Sequence, residues 1–163
     1  MTRRADAAAR VVSLEEAVQQ IRAWQAAGLS VAATGGAFDL LHDGHLHLLT
    51  RARGEANRLL VAVHEDDRVR RSRGAGRPVH PAHERAELLA GLTPVDLVTV
   101  ASADDAGWIA ECRPDVLVLS TDEGYPSPGA AELLLPPDTR AVYVPVIPSE
   151  SSSTLLARAQ ASE

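Results

Sequence analysis

Thr34-Gly35-Gly36-Ala37-Phe38-Asp39-Leu40-Leu41-His42-Asp43-Gly44-His45 is the stretch whose reading decides the fold of this chain. The residues leading into it, 29–34, are short and apolar, bounded by Gly28 on one side and Gly35-Gly36 on the other, which is the pattern of a buried strand. The residues leading out, 44–53, carry Leu46, Leu48 and Leu49 and stop near Gly54, as a helix does. A second apolar strand follows at Arg58–His64. Strand, helix, strand is a right-handed crossover between parallel strands.

Working outward, Ser13-Leu14-Glu15-Glu16 sets a capping Ser three residues before a Glu, and Leu14, Ala17, Val18, Ile21 and Trp24 recur at helical spacing up to Gly28. Residues 66–81 hold five Arg, two Gly and two Pro with little periodicity, so they read as partly helical and then irregular surface. The alternation resumes with a helix at 82–92, a strand at 95–100, a helix at 104–112 behind a capping Asp, and a strand at 115–119. A short helix near 130–134, a strand at 141–144 and a last helix at about 152–159 complete it. The pattern predicts an α/β, Rossmann-like, doubly wound sheet of five parallel strands in a single domain spanning 1–163, with 1–12 as a frayed start.

Composition agrees with that class. Of 163 residues 45% are hydrophobic but only 3% aromatic, so the core must be aliphatic, which suits parallel strands covered on both faces. All 16 basic residues are Arg, a chain-wide bias that weakens arguments from any one of them. The net charge of -6 argues against a nucleic-acid or membrane-surface binder, leaving only local steering of an anionic ligand. Cys112, the single cysteine, excludes an internal disulfide and reads as a small buried residue. No apolar stretch at the start reads as a secretory signal and none is long enough for a membrane span, so the expectation is a cytoplasmic protein.

Ligands of open parallel sheets bind at the carboxyl ends of the strands, where the quoted turn lies. Gly35 and Gly36 lack side chains and let a phosphate or base approach the backbone; Gly44 keeps the following helix start clear, and that start favours anions. His42 and His45 frame this site and could donate hydrogen bonds to the phosphates of a phosphoryl transfer. Asp43 reads as a helix cap pointing away and His47 as structural. The Arg cluster Arg68, Arg70, Arg71, Arg73 and Arg77 suits phosphate oxygens, although such a run also occurs as a solvated face. The serines 149 and 151–153 form either a helix cap or a phosphate-binding helix start.

These residues resemble the cytidylyltransferase-like nucleotidyltransferases, whose strand, Gly-x-Phe-Asp and His-x-Gly-His stand here as residues 34–39 and His42-Asp43-Gly44-His45. Within that family the chain is most similar to the heptose 1-phosphate adenylyltransferase domain of bacterial ADP-heptose synthesis, from the Ser-Leu-Glu-Glu helix through Gly74-Ala75-Gly76-Arg77-Pro78 to the Ser-rich end.

The resemblance implies that Thr34, Gly35, Gly36, Ala37, Phe38, Asp39, Gly44 and Asp122 contact the nucleotide, and that His42 and His45 bind the triphosphate and stabilise the transition state. Arg70 and Arg73 fall where the family places cations for the NTP phosphates, and Ser151, Ser152 and Ser153 map onto a Ser-Thr-Thr phosphate element. Asp39, Arg77 and Arg85 are candidates for the acceptor, Arg85 alternatively structural. Mg2+ is expected to bridge the phosphates without a protein cage.

Two departures bear on substrate. Leu119-Ser120-Thr121-Asp122 stands where the heptose enzymes carry Lys-Gly-Gly-Asp, and Gly35 stands where they carry Asn. Some relatives fuse this domain to a sugar kinase, whereas this chain is expected to act alone and as a homodimer. The expected function is transfer of a nucleoside monophosphate, AMP favoured over CMP, from an NTP to a sugar phosphate such as heptose 1-phosphate, with pyrophosphate released. The alternatives are a cytidylyltransferase for a polyol phosphate or phosphonate, an FAD synthetase-like adenylyltransferase, and a non-catalytic nucleotide-binding paralogue.

Overall fold

Ser13 starts the first helix, α1 (Leu14–Ala26), through a reciprocal capping box. Its hydroxyl accepts from the Glu16 N–H at 3.2 Å, and the Glu16 carboxylate accepts from the Ser13 N–H at 2.9 Å. The helix stops at Ala27, and Gly28 follows in the left-handed region at φ 80°, where a residue without Cβ costs least. The structure, a computed structural model, describes residues 10–102, 104–121, 135–145 and 152–161.

The chain then alternates as expected. In order come β2 (Val31–Gly36), α2 (Asp43–Gly54), β3 (Arg58–His64), α3 (Asp66–Arg73), α4 (Ala82–Ala90), β4 (Leu97–Ala101), α5 (Asp105–Cys112), β5 (Val116–Ser120), β6 (Arg140–Val144) and α6 (Ser152–Gln160). Before all of them lies β1 (Val11–Val12). The described strands form one sheet, order β1-β4-β3-β2-β5-β6, with every pairing parallel. That sheet has six strands rather than five. The sixth is β1, in the segment expected to fray: Val11 and Val12 pair with Val98 and Thr99, and the Arg10 side chain bonds the carbonyls of Ala90 and Asp96. Two β-branched residues beside a cationic anchor suffice to add an edge strand.

Both faces of the sheet are covered. On one side Leu49 and Ala52 of α2 and Ala86 and Leu89 of α4 pack on Ala32, Leu59, Val61 and Val98. On the other, Ala17 and Ile21 of α1 and Trp108 and Ile109 of α5 pack on Val31, Ala33, Leu60 and Leu117. Alternate residues of each strand thus enter different halves of the core, and each fully buried Leu, Ile or Val contributes roughly 1.5–3 kcal/mol. Cys112 lies in the second half; burial and then the neighbouring Glu111 charge push its thiol up to about 12, so it stays protonated and inert. No described helix is long and apolar enough to cross a membrane. The expected short helix at 130–134 lies outside the described residues.

Candidate active site

From β2 the strand order runs one way through β3 and β4 and the other way through β5 and β6, so the carboxyl end of β2 lies at the topological switch point where α/β sheets hold their ligands. β2 reaches further than its apolar run suggested. Gly35 and Gly36 are strand residues, in register with Ala62 and Val63 of β3. Internal packing accounts for both glycines. A Cβ on Gly35 would stand 2.9 Å from Trp108 Cζ2, and one on Gly36 would stand 3.1 Å from Phe38 Cε2.

Beyond Gly36, the loop 37–42 is tightly held. Phe38 sits at φ 46°, a conformation disfavoured for a bulky side chain and sustained only where the surroundings dictate it. Its ring is 4% exposed, folded back over Gly36 and 5.3 Å from the His45 ring. In this structure the ring therefore shapes the loop from inside. Thr34, Ala37 and Asp39 are likewise buried.

His42 occupies the N-cap position of α2, with its carbonyl accepting from the N–H groups of His45 and Leu46. Asp43 is the exposed first residue of the helix rather than its cap, at the dipole's positive end. One turn on, His45 stacks against His42, ring centroids 3.8 Å apart and 28° between planes. Burial, then the His42 ring, then the Arg73 charge lower the His45 pKa to about 4, while the Leu40 backbone acts the other way. At neutral pH His45 is a neutral imidazole, a hydrogen-bond donor rather than a fixed cation. Two aromatic donors at a helix start, with Gly44 between them, are suited to hold an anion whose charge grows during reaction.

α3 supplies the cations. Arg73, exposed at its end, is near enough to act on His45 through its charge. Arg70 is half exposed and ion-paired with Asp67 one turn earlier, a contact a phosphate would have to displace. Arg77 and Arg85 lie differently from their expected acceptor roles. Arg77 is partly buried against Asp39, Nη1 to Oδ2 at 3.1 Å, and the other Asp39 oxygen accepts from the Val79 N–H at 2.7 Å. Arg85 is 1% exposed and bonds the carbonyls of Ala37 and His80 and the carboxylate of Asp66. In this structure Asp39, Arg77 and Arg85 are engaged with neighbours inside the protein and line the wall of the site.

A network beside the site was not legible beforehand. Asp105, first residue of α5, accepts from Arg68 through both oxygens, at 3.2 and 2.6 Å, from the Trp108 indole at 3.0 Å, and pairs with His64 at 3.1 Å. Burial alone would raise its carboxyl, but the bonds from His64, Arg68 and Trp108 outweigh it and hold the group far below the usual carboxylate range. The only advance signal was Asp105 behind a second Asp; Asp104 makes the cap, accepting from the Gly107 N–H at 2.9 Å.

Asp122 and Ser151 lie outside the described residues, and Ser152 and Ser153 are described only as the first residues of α6. Leu119 packs in the same core half as Trp108 and Tyr143. Position 119 therefore brings no charge to the strand-end opening.

A family model described as cytidylyltransferase-like matches residues 33–133. The bifunctional protein HldE of Rhodopseudomonas palustris (strain BisB18) is 40% identical over 138 residues, 84% of this chain but 28% of that protein. HldE of Acidiphilium cryptum (strain JF-5) is 36% identical over 150 residues, 91% of this chain and 31% of the relative. This chain thus spans under a third of the length of these relatives. The crystal structure of the lipopolysaccharide core biosynthesis protein from Thermoplasma volcanium GSS1 superposes with a TM-score of 0.63 at 22% identity, over 75% of this chain and 99% of that one, which shows a common fold. With the family match running from within β2, through the paired histidines and α3, to beyond β5, the chain belongs to the cytidylyltransferase-like family.

Proposed function

We propose that this chain is a single nucleotidyltransferase domain that transfers a nucleoside monophosphate, AMP by preference, from an NTP to a sugar phosphate such as heptose 1-phosphate. The observation that carries the reading is the stacked His42–His45 pair at the start of α2, at the switch point, with Arg73 acting on it. In this reading the acceptor phosphate attacks the α-phosphorus in line, the bond to the pyrophosphate breaks, and no covalent enzyme intermediate forms. The imidazole N–H groups and the first N–H groups of α2 stabilise the charge on the transferring phosphoryl group. Arg73, and Arg70 once released from Asp67, hold the pyrophosphate oxygens.

The likeness to the HldE proteins supports the heptose-type acceptor. Ser151, Ser152, Ser153 and Asp122 belong to the proposed nucleotide site by that family likeness. No group of three or more His, Cys, Asp or Glu among the described residues is placed to cage a metal ion. In the proposed reading Mg2+ would arrive on the triphosphate and supply charge neutralisation between phosphates. A cytoplasmic homodimer is part of the proposed reading.

The core position of Leu119 favours a second reading, in which the chemistry is kept and the substrates change: CTP with a polyol phosphate or phosphonate, or an FAD synthetase-like pairing. A panel of the four NTPs against these acceptors, followed by pyrophosphate release, separates the readings. The expected result is magnesium-dependent release greatest with ATP and heptose 1-phosphate. Nucleotide binding by calorimetry with no release for any acceptor would leave a non-catalytic nucleotide binder.

A further inference from the structure

The helix that carries the cations of the site is held almost without a core. Of the eight residues of α3, Val69 alone is buried, and the remainder are polar or charged. Ordinarily one apolar side chain would not fix a helix of this length, since most helical stability in proteins comes from packing an apolar face. Two ion pairs do so instead, one on each side of the sheet. At the start of α3, Asp66 accepts from Arg85 at 2.7 Å, and Arg85 rises from α4 and simultaneously bonds the Ala37 carbonyl in the loop after β2. Two residues on, Arg68 makes a two-pronged contact with Asp105 at the start of α5, whose orientation is fixed by His64 and Trp108.

We propose that Arg85 and Asp105 are positioning residues. Acting through Asp66 and Arg68, they clamp α3 between α4 and α5 and so set the place of Arg73 against His45. The arrangement has a geometric logic. Arg85 ties α3 to the same loop that delivers His42 and His45, so the cation and the imidazoles are referred to one anchor. The Asp105 clamp fixes the rotation of α3 about its axis, because a bidentate guanidinium–carboxylate contact admits a narrow range of orientations. Charged clamps of this kind add little net stability over an apolar core but penalise wrong placements heavily once buried.

The proposal rests on the reaction above only for its kinetic arm. Its direct readout is the titration of His45, followed by NMR, because the groups acting on that ring are its burial, the His42 ring, the Arg73 charge and the Leu40 backbone, and α3 contributes only Arg73. Arg85→Gln removes the buried clamp and Arg68→Met the partly exposed one; should the first fail to fold, the second carries the test. In folded Arg68→Met the His45 titration is expected to move up from about 4 by the share the Arg73 charge contributes, with burial and the His42 ring still holding it below 6.5. Turnover is expected to fall roughly 100-fold, the cost of an ångström-scale misplacement, with Arg68→Lys restoring much of both. A folded Arg68→Met protein with the wild-type His45 titration overturns the clamp, as does a shifted titration in an active enzyme whose turnover is unchanged. If the wild-type protein releases no pyrophosphate from any NTP, the reaction proposed above falls, while the titration still decides the clamp.

Discussion

His45 shows how far a single residue can be argued. Its imidazole is buried beside a second histidine and near an arginine, so its neutral form is favoured in the folded protein and its pKa falls from 6.5 to about 4. The unfolded chain therefore binds more protons than the folded one as pH drops below 6.5. The stability linked to His45 is complete above that value and is lost progressively toward pH 4, by up to ~3 kcal/mol. Urea midpoints measured across this window should fall less steeply in His45→Gln than in the wild type; equal slopes would contradict the shift. Gly35 gives a second expectation. Because a Cβ there would lie 2.9 Å from the Trp108 ring, Gly35→Ala should destabilise by about 1–3 kcal/mol through overpacking, readable in the same titrations. Sequence spacing located the histidines, since His-x-Gly-His after a strand is a local pattern. It did not show that the two glycines also make room for Trp108 and the returning Phe38 ring, because those neighbours are set by tertiary packing. The same reason hid Asp105, whose partners His64 and Arg68 lie 41 and 37 residues away.

Elements were legible where periodicity or a cap is local. The capping box at Ser13 was readable from four residues, and its removal is a clean test: Ser13→Ala should cost about 1 kcal/mol with the rest of the fold intact. Denaturant unfolding that shows no loss would mean the box contributes nothing to α1. Boundaries were less secure. β2 runs two residues past its apolar stretch because Gly35 and Gly36 still pair with β3, a property of the neighbouring strand that their own side chains cannot announce. α3 was read as only partly helical for a related reason. Its sequence has one apolar anchor, and what holds it, Asp66 to Arg85 and Arg68 to Asp105, comes from elements far along the chain.

At the scale of the molecule, the alternation of strands and helices gave the class and both covered faces, while the edge escaped: two valines are too short a run to declare a strand, and only their register with Val98 and Thr99 makes β1. The sheet order puts the β2 turn at the switch point, and the family match spans that same region. The central claim is that the His42 and His45 imidazoles, as hydrogen-bond donors at that point, stabilise the transferring phosphoryl group. The direct measurement is pyrophosphate release at saturating NTP and acceptor by the wild type, His42→Ala and His45→Ala, each checked for folding by its thermal midpoint. Each variant should lose roughly 100- to 1,000-fold in kcat with little change in stability at neutral pH. Folded variants that turn over at the wild-type rate would contradict the account.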